Sequence, residues 1–299
     1  MSRWLGDATL AHLRDVADWP QLSERYEIAG RLGRGGMGAV YAARDRTLGR
    51  DVAVKVLDSV GHSERVAGRL LAEARILGSL EHPGIVPVHD AGVLADGRVF
   101  YVMKLVRGDR LDTALHSRSL SERLELFLRI CDAVSFAHAH DVVHRDLKPQ
   151  NIMLGSFGEV LVMDWGVALQ INDDADRAEV AGTPGYMAPE QERDAGSVDA
   201  RADIYALGVI LEMMLPTPAP KALLAIARRA HAAAAAARYH DVRALAREIA
   251  RFREGEPVDA YRESFLERAA RIYQRHRLPI NLMLVYMVVR VILLLWFRT

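Results

Sequence analysis

An eight-residue segment brings together the side chains that transfer of a phosphoryl group to a hydroxyl requires. The segment reads His144-Arg145-Asp146-Leu147-Lys148-Pro149-Gln150-Asn151. The Asp146 carboxylate is a candidate base, the Lys148 ammonium could stabilise negative charge, and Asn151 is a candidate metal ligand. Few other reactions need a base, a cation and a metal ligand so close together, so the segment predicts phosphoryl transfer.

A glycine-rich segment upstream could cover the phosphates of a nucleotide. It reads Gly33-Arg34-Gly35-Gly36-Met37-Gly38, with Val40 two residues later. Dinucleotide-binding folds use the same GxGxxG spacing, so the spacing alone is weak evidence. Here the glycines lie between two predicted strands instead of opening a helix. This context favours a hairpin whose backbone approaches phosphates closely.

Two charged residues follow at positions where charge is unexpected. Lys55 lies in an apolar predicted strand beside Ala53, and Glu73 lies between apolar positions of a helix predicted over 63–80. For either residue alone, a solvated surface charge is the simpler interpretation. Because both stand in register with the glycine segment, a functional role is favoured for the two together. A lysine within an apolar strand needs an anionic partner, and phosphates together with Glu73 would provide it.

Further downstream, Asp164-Trp165-Gly166 follows a short apolar strand, and a segment from Gly182 to Glu190 reads GTPGYMAPE. Together with HRDLKPQN, these motifs resemble the eukaryotic-type protein kinases, and their wording looks closest to bacterial membrane-anchored Ser/Thr kinases. The resemblance runs from about residue 25 to 252. Trp165 departs from it, since the family usually has Phe there.

The resemblance assigns a role to each motif. It implies that Asp146 takes the hydroxyl proton, that Lys148 stabilises the transferring phosphate, and that Thr183 contacts both. Asn151 and Asp164 are expected to bind Mg²⁺, with Mn²⁺ as an alternative. The residues expected to line the ATP site are Gly33, Gly35, Gly36, Gly38, Val40, Ala53, Lys55, Met103, Lys104, Val106 and Met153.

Two structural contacts are also implied by the resemblance. Glu190 is expected to form a buried ion pair with Arg238, and Asp203 is expected to hold the backbone of the catalytic segment. Losing one partner of a buried pair leaves a buried charge, which makes such pairs structurally important.

Two further departures from the family matter more than Trp165. In kinases of this family the arginine before the catalytic aspartate, here Arg145, usually binds a phosphate on the downstream loop. Residues 167–182 contain no Ser or Thr that could carry such a phosphate. We hypothesise that an acidic residue of the loop replaces it. The candidate acids are Asp173, Asp174, Asp176 and Glu179. In addition, residues 215–220 pass almost directly into the next helix, which predicts a less covered apolar side on helix 204–215.

Composition limits the class of protein. Thirty-nine basic residues balance thirty-nine acidic ones, which argues against bulk nucleic-acid binding. The single cysteine, Cys131, cannot form an internal disulfide and fits a helical apolar pattern, so we interpret it as a small buried hydrophobe. A helix beginning near Ser121 as its N-cap would carry this residue.

Hydrophobic periodicity predicts five strands and one helix in the smaller lobe and a mostly helical larger lobe. The resemblance implies that they form an α+β, two-lobed protein-kinase fold. The predicted organisation is a helical lead (1–24), a smaller lobe (25–106), a larger lobe (107–254), a basic neck (255–278) and a transmembrane helix (279–297).

The last of these segments contains a single charge, Arg290, and as a helix it would be about as long as a hydrocarbon core. Arginines precede the segment more often than they follow it, which predicts a single-pass cell-membrane protein with a cytoplasmic kinase domain. The alternative is a soluble apolar helix packed on the body of the protein.

These observations lead to a Ser/Thr protein kinase that uses MgATP, with protein substrates and membrane lipid as partners. A homodimer is a further expectation. An ATP-binding pseudokinase that recruits a partner through its shortened lobe is the alternative. A small-molecule kinase is disfavoured by the Thr183–Glu190 segment.

Overall fold

The computed structural model describes residues 19–35, 38–56, 64–115, 118–165, 169–170, 182–193, 198–275 and 277–296. An antiparallel sheet and one helix form the smaller lobe, and helices dominate the larger lobe, as predicted. The helical lead predicted for 1–24 lies outside the described residues up to position 18, and Trp19 and Leu22 pack on the smaller lobe.

The smaller lobe contains a five-stranded sheet in the order β1-β2-β3-β5-β4. Its strands are β1 Tyr26–Gly35, β2 Gly38–Asp45, β3 Arg50–Val56, β4 Val88–Val93 and β5 Val99–Lys104. Helix α1, Glu64–Ser79, packs Ala74, Ile76 and Leu77 into the core below the sheet.

The alternation of side chains along β3 decides which face Lys55 occupies. Val52, Val54 and Val56 belong to an apolar cluster on one side of the sheet, whereas Ala53 belongs to the main core on the other. Because successive strand residues point to opposite faces, Lys55 shares the side of Ala53. The main core continues into the larger lobe, so this side of the sheet faces the junction of the lobes.

Short strands and helices build the larger lobe and the C-terminal region. The strands are β6 Gly108–Arg110, β7 Val142–Val143, β8 Ile152–Gly155, β9 Val160–Val162 and β10 Leu169–Gln170. The helices are α2 Leu111–Ala114, α3 Leu120–Ala139, α4 Pro189–Arg193, α5 Arg201–Met214, α6 Lys221–Ala230, α7 Val242–Arg253, α8 Phe265–Arg275 and α9 Arg277–Trp296.

Helix α3 begins earlier than predicted. Its N-cap is Ser119 and not Ser121, because the Ser119 hydroxyl accepts a hydrogen bond from the Glu122 backbone N–H and the Glu122 carboxylate accepts one from the Ser119 backbone N–H. This capping box satisfies donors at the helix start. Cys131 is buried in the middle of the helix, as predicted, and burial raises the pKa of its thiol.

The short connection after α5 does not leave that helix uncovered, and the prediction of a less covered apolar side on helix 204–215 is wrong. Ile204, Leu207, Ile210 and Leu211 are fully buried. Helix α6 packs directly on α5, since Gly208 leaves room for the backbone where α6 ends, and it supplies four buried apolar side chains. Those residues are Leu223, Ile226, Ala227 and Ala230.

The C-terminal helices lie beyond this core. Helix α9 covers most of the predicted transmembrane segment, although Phe297 lies outside the described residues. Within the part of the chain that the structure describes, no helix has both the length and the apolar content needed to cross a membrane. The predicted crossing is therefore not confirmed.

Candidate active site

Three of the predicted catalytic residues, Asp146, Lys148 and Thr183, meet at the junction of the two lobes. The Lys148 ammonium donates to Asp146 Oδ2 at 2.6 Å and to Thr183 Oγ1 at 2.7 Å. The Thr183 hydroxyl in turn donates to Asp146 Oδ1 at 2.6 Å. This closed triangle joins the catalytic segment to a segment 35 residues downstream, which sequence spacing alone could not place.

Asn151 is oriented by the catalytic segment itself. Its side-chain N–H₂ donates to the Asp146 backbone carbonyl at 2.9 Å, and its backbone carbonyl accepts from the Met163 N–H at 2.8 Å. The hairpin of β8 and β9 pairs Ile152 with Val162, so the ends of the two strands bring Asn151 beside the start of the Asp164 motif. The amide nitrogen is thus satisfied internally, and the amide oxygen is the group suited to a cation.

Lys55 reaches the same place from the smaller lobe. Its ammonium donates to Asp164 Oδ1 at 2.8 Å, and its side chain is about one-tenth exposed, whereas that of Asp164 is half exposed. Burial acts to raise the pKa of Asp164, but the charge and the hydrogen bond of Lys55 outweigh it, with help from charges on His144 and Lys148. The pKa of this carboxyl therefore lies below its ordinary value, so Asp164 is ionised.

The predicted Lys55–Glu73 pair stays a prediction. Glu73 lies in α1, but its side chain is outside the described residues, as are Gly36 of the glycine segment and the loop acids proposed to replace a phosphate near Arg145. Among the described residues, the Lys55 ammonium contacts Asp164 and lies 5.7 Å from the centre of the Tyr101 ring.

The other residues expected at the ATP site line the sheet and the connection that follows it. Register pairs Val40 with Lys55 and Ala53 with Met103. The Lys104 backbone N–H already donates to the Pro87 carbonyl at 3.1 Å, so it is not available to the adenine ring of ATP. Val106 follows β5 and packs on the core, and Met153 lies in β8.

The hairpin of β1 and β2 that carries the glycines could cover the phosphates of a bound nucleotide. Gly35 pairs with Gly38 at the end of β1 and β2, and Gly38 has a φ of +148°, in the region that favours glycine. A Cβ atom added at Gly33 or Gly35 would meet nothing within 4 Å. Internal packing therefore does not require these two glycines, whereas close approach of a ligand to the backbone would.

These groups fit a nucleotide with a divalent cation. The Asp164 carboxylate and the Asn151 amide oxygen are hard oxygen ligands of the kind that Mg²⁺ prefers. The Lys55 ammonium beside them is a counter-ion for phosphates, and the glycine hairpin leaves its backbone accessible from above.

Asp203 holds the catalytic segment from below, as predicted. Its buried carboxylate accepts hydrogen bonds from the backbone N–H groups of His144 at 2.8 Å and Arg145 at 2.9 Å. His138 Nε2 lies 2.7 Å from the same carboxylate. Three donors thus converge on one buried acceptor and fix the backbone conformation around Arg145, which has a φ of +68°.

The buried pair of Glu190 and Arg238 is also confirmed. Two parallel hydrogen bonds of 2.5 and 2.7 Å join the carboxylate to the guanidinium. Arg238 donates in addition to the backbone carbonyls of Ala232 and Ala233, which ties down the alanine-rich connection before it.

Gln191 and His144 were not assigned roles from the sequence. Buried Gln191 accepts from the Ala188 N–H at 3.0 Å and donates to the Arg145 carbonyl at 2.8 Å, so it links the Thr183–Glu190 segment to the catalytic segment. His144 donates from Nε2 to the Met163 carbonyl, and its ring lies 4.5 Å from the Trp165 ring. Adjacency of Gln191 to the motif was the only available signal.

Comparison with known proteins agrees with this geometry. The protein kinase domain family matches residues 26–280. The serine/threonine-protein kinase PknD of Chlamydia caviae is 37% identical over 231 residues, which cover 66% of this chain and 25% of that protein. PknD of Chlamydia muridarum is also 37% identical, over 237 residues. The chain thus spans about a quarter of the length of these relatives.

Solved structures lead to the same family. The crystal structure of the Mycobacterium tuberculosis PknI kinase domain superposes with a TM-score of 0.62 at 26% identity, over 77% of this chain and 97% of that one. Since the family match extends over most of the residues that form both lobes and the site between them, the chain belongs to the protein kinase domain family.

Proposed function

We propose that the protein is a serine/threonine protein kinase that transfers the γ-phosphate of ATP to protein hydroxyls, with Mg²⁺ as the metal. The triangle of Asp146, Lys148 and Thr183 is the observation that carries this proposal. Its two charged groups are those that hydroxyl attack on a phosphate requires, and its third member belongs to the segment that faces a substrate in such kinases.

In this proposal each residue acts on an identifiable atom. Asp146 orients the acceptor hydroxyl and accepts its proton, and Lys148 stabilises negative charge on the transferring phosphate. The Thr183 hydroxyl bridges the two, because it accepts from the Lys148 ammonium and donates to the Asp146 carboxylate.

The metal and the nucleotide would be held by the groups that converge on Asp164. A bound divalent cation neutralises charge on the phosphates during transfer. Asp164 and Asn151 supply oxygen ligands for it, while Lys55 positions the phosphates from the opposite side. Lys55 and Asp164 would then exchange part of their mutual contact for contacts to the ligand.

The pseudokinase alternative finds no support among the described residues. A pseudokinase typically lacks a base, a phosphate-binding lysine or a metal ligand, and Asp146, Lys55 and Asp164 are all present and mutually oriented here. The shortened larger lobe first suggested recruitment of a partner, but helix α6 covers the apolar side of α5 on which such a partner would bind.

Transfer of label from ATP tests the catalytic role of Asp146. We expect the full chain with Mg²⁺ and γ-labelled ATP to label a generic protein substrate, and the Asp146→Asn variant to do so about 10²–10⁴ times more slowly. The matched control is Asp109→Asn, an exposed aspartate in β6, which should retain full activity. Equal rates for wild type and Asp146→Asn would reject the proposal.

We also propose that the kinase is attached to the cytoplasmic face of the cell membrane through α9. Apolar side chains are exposed all around this helix, including Leu282, Leu284, Val285 and Val288. A helix that is apolar on every side is stable only where it is buried in protein or lipid, and the part of the hydrophobic core that the structure describes ends at Tyr261.

Vesicle flotation tests this attachment. We expect the full chain to float with phosphatidylcholine vesicles, and a Leu284→Asp/Val288→Asp variant to remain at the bottom of the gradient while keeping its kinase activity. Flotation of both proteins to the same degree would contradict attachment through α9.

A further inference from the structure

Helix α8 is joined to the kinase body by its charged face. Glu267 accepts a hydrogen bond from the Lys221 ammonium at 2.9 Å and one from the Tyr261 hydroxyl at 3.0 Å. Arg271, one turn further on, donates to the Glu263 carboxylate at 2.9 Å and to the Gly255 carbonyl at 3.2 Å. Glu267 therefore points toward α6 of the larger lobe, and Arg271 points toward the segment that follows α7.

The apolar face of the same helix points away from the body. Phe265 is 84% exposed and Leu266 is 78% exposed, and Ile272 and Tyr273 are exposed as well. At 3.6 residues per turn these four side chains lie on one side, opposite Glu267. None of them joins the described hydrophobic core.

This arrangement is the reverse of that of an ordinary surface helix. An amphipathic helix on a globular protein buries its apolar stripe against the core and turns its charges to water. Burying the apolar face of α8 against the larger lobe would require rotating the helix and breaking the contacts of Glu267 and Arg271. The exposed face therefore requires a partner from outside the kinase body.

Two features identify that partner as lipid. The apolar helix α9 begins two residues after the end of α8, so whatever surrounds α9 also reaches α8. Exposed cations lie at both ends and along the flank of α8, namely Arg262, Arg268 and Arg277. Apolar side chains flanked by arginine are typical of helices that lie in the interface of a membrane, where the guanidinium groups meet anionic headgroups.

We infer that α8 lies in the headgroup region of an anionic bilayer, with its apolar face in the lipid and its charged face on the kinase. This inference rests on the proposed membrane attachment and adds a second contact. The contact holds the larger lobe on the lipid surface through the hydrogen bond between Lys221 and Glu267.

An environment-sensitive dye on residue 266 tests the inference in the full chain. The Leu266→Cys variant offers one accessible thiol for the dye, because Cys131 is buried. We expect the dye emission to shift to shorter wavelength when the protein is reconstituted into vesicles that contain phosphatidylserine, and to shift less in phosphatidylcholine alone. The matched control is dye on Phe157→Cys, a 95% exposed turn position outside α8, which should show no shift.

The outcomes separate the two proposals. Failure of the full chain to float with vesicles contradicts the attachment through α9. Flotation without a blue shift at residue 266 leaves that attachment intact and overturns the role of α8. A shift that appears in detergent without vesicles and grows with protein concentration also overturns it, since the apolar face would then bind a second copy of the chain.

Discussion

At the scale of single residues, the Asp203 carboxylate carries much of the geometry of the active site. Burial acts to raise its pKa, but the hydrogen bond and charge of His138, the charge on His144 and the hydrogen bond from the His144 backbone outweigh it, so the pKa is lowered. Asp203 is thus ionised, and its carboxylate accepts hydrogen bonds from the two successive backbone N–H groups of His144 and Arg145.

The lowered pKa of Asp203 predicts a dependence of stability on acid. Because the pKa of the folded protein is below the ordinary value of about 3.9, the stabilising contribution is complete above that pH and is lost as pH falls through the folded pKa. We expect Asp203→Asn to lower the free energy of unfolding by about 1.5–3 kcal/mol at neutral pH. The cost should shrink below about pH 4, where the unfolded chain takes up a proton, and it should be smallest once pH has fallen through the folded pKa and the folded carboxylate is protonated as well. Urea unfolding at several pH values measures it.

Asp109→Asn serves as the control for this experiment, since Asp109 is exposed and should change stability little at any pH. A cost of Asp203→Asn that is the same at acid and neutral pH would contradict the role of the ionised carboxylate.

Most residues of the site could be predicted from the sequence, because Asp146, Lys148 and Asp164 stand at fixed positions within short motifs. The contact of His138 with Asp203 could not be predicted, because His138 lies outside the motifs. His138 Nε2 contacts the Asp203 carboxylate 65 positions along the chain, and neither the residue types nor their spacing predicts this pair.

At the scale of elements, the start of α3 depends on one hydroxyl. Ser119 forms the capping box with Glu122, whereas Ser121 lies in the first turn of the helix, where its hydroxyl is exposed. We expect Ser119→Ala to lower the free energy of unfolding by about 1 kcal/mol, and Ser121→Ala to change it much less. Chemical denaturation of the two variants compares them directly, and equal costs would assign no special role to the cap.

The packing of α5 against α6 requires a glycine. A Cβ atom at Gly208 would lie 2.6 Å from the His231 backbone nitrogen and 2.8 Å from the Ala230 Cβ. We therefore expect Gly208→Ala to destabilise the protein by about 1–3 kcal/mol, as overpacking does. Thermal or urea unfolding measures the change.

Gly78 provides a matched control within α1, because a Cβ atom there would meet nothing within 4 Å. Gly78→Ala should be neutral or stabilising by up to about 1 kcal/mol, since alanine favours helix and restricts the unfolded chain. The same sign for both substitutions would show that backbone propensity, not close approach, decides the effect at Gly208.

The elements themselves followed from apolar periodicity, but their boundaries and coverage did not. Two serines near the start of α3 compete as caps, and only the position of Glu122 relative to each discriminates between them. The coverage of α5 depends on how closely α6 approaches it. Gly208 makes this close approach possible, and hydrophobic periodicity does not indicate it.

At the scale of the whole molecule, a few charged contacts set the position of α8 relative to the larger lobe. Hydrogen bonds from the Ser264 backbone, Lys221, the Ser264 hydroxyl and Tyr261 all converge on Glu267 and lower its pKa to about 2. The carboxylate is therefore ionised throughout the range in which the protein is handled, and the link is insensitive to pH near neutrality.

Removing this charge should loosen α8 without affecting the active site. We expect Glu267→Gln to accelerate hydrogen exchange at the backbone amides of α8, because the fluctuations that open the helix become easier when the hydrogen bonds of Ser264 and Lys221 to this side chain weaken. Exchange in α5 and the rate of phosphoryl transfer should stay unchanged. Glu263→Gln, which removes only the partner of Arg271, should have a smaller effect, and unaltered exchange in α8 for both variants would refute the link.

The Trp165 indole, buried under Asp164, gives the protein an internal optical probe. Its Nε1–H group donates to the Val162 carbonyl at 3.3 Å, and its ring packs on His144. Any rearrangement of the motif, such as loss of the Lys55–Asp164 contact when a nucleotide enters, would alter the surroundings of this ring. Its intrinsic fluorescence should therefore follow nucleotide binding in the unlabelled protein, with Trp165→Phe as the silent reference.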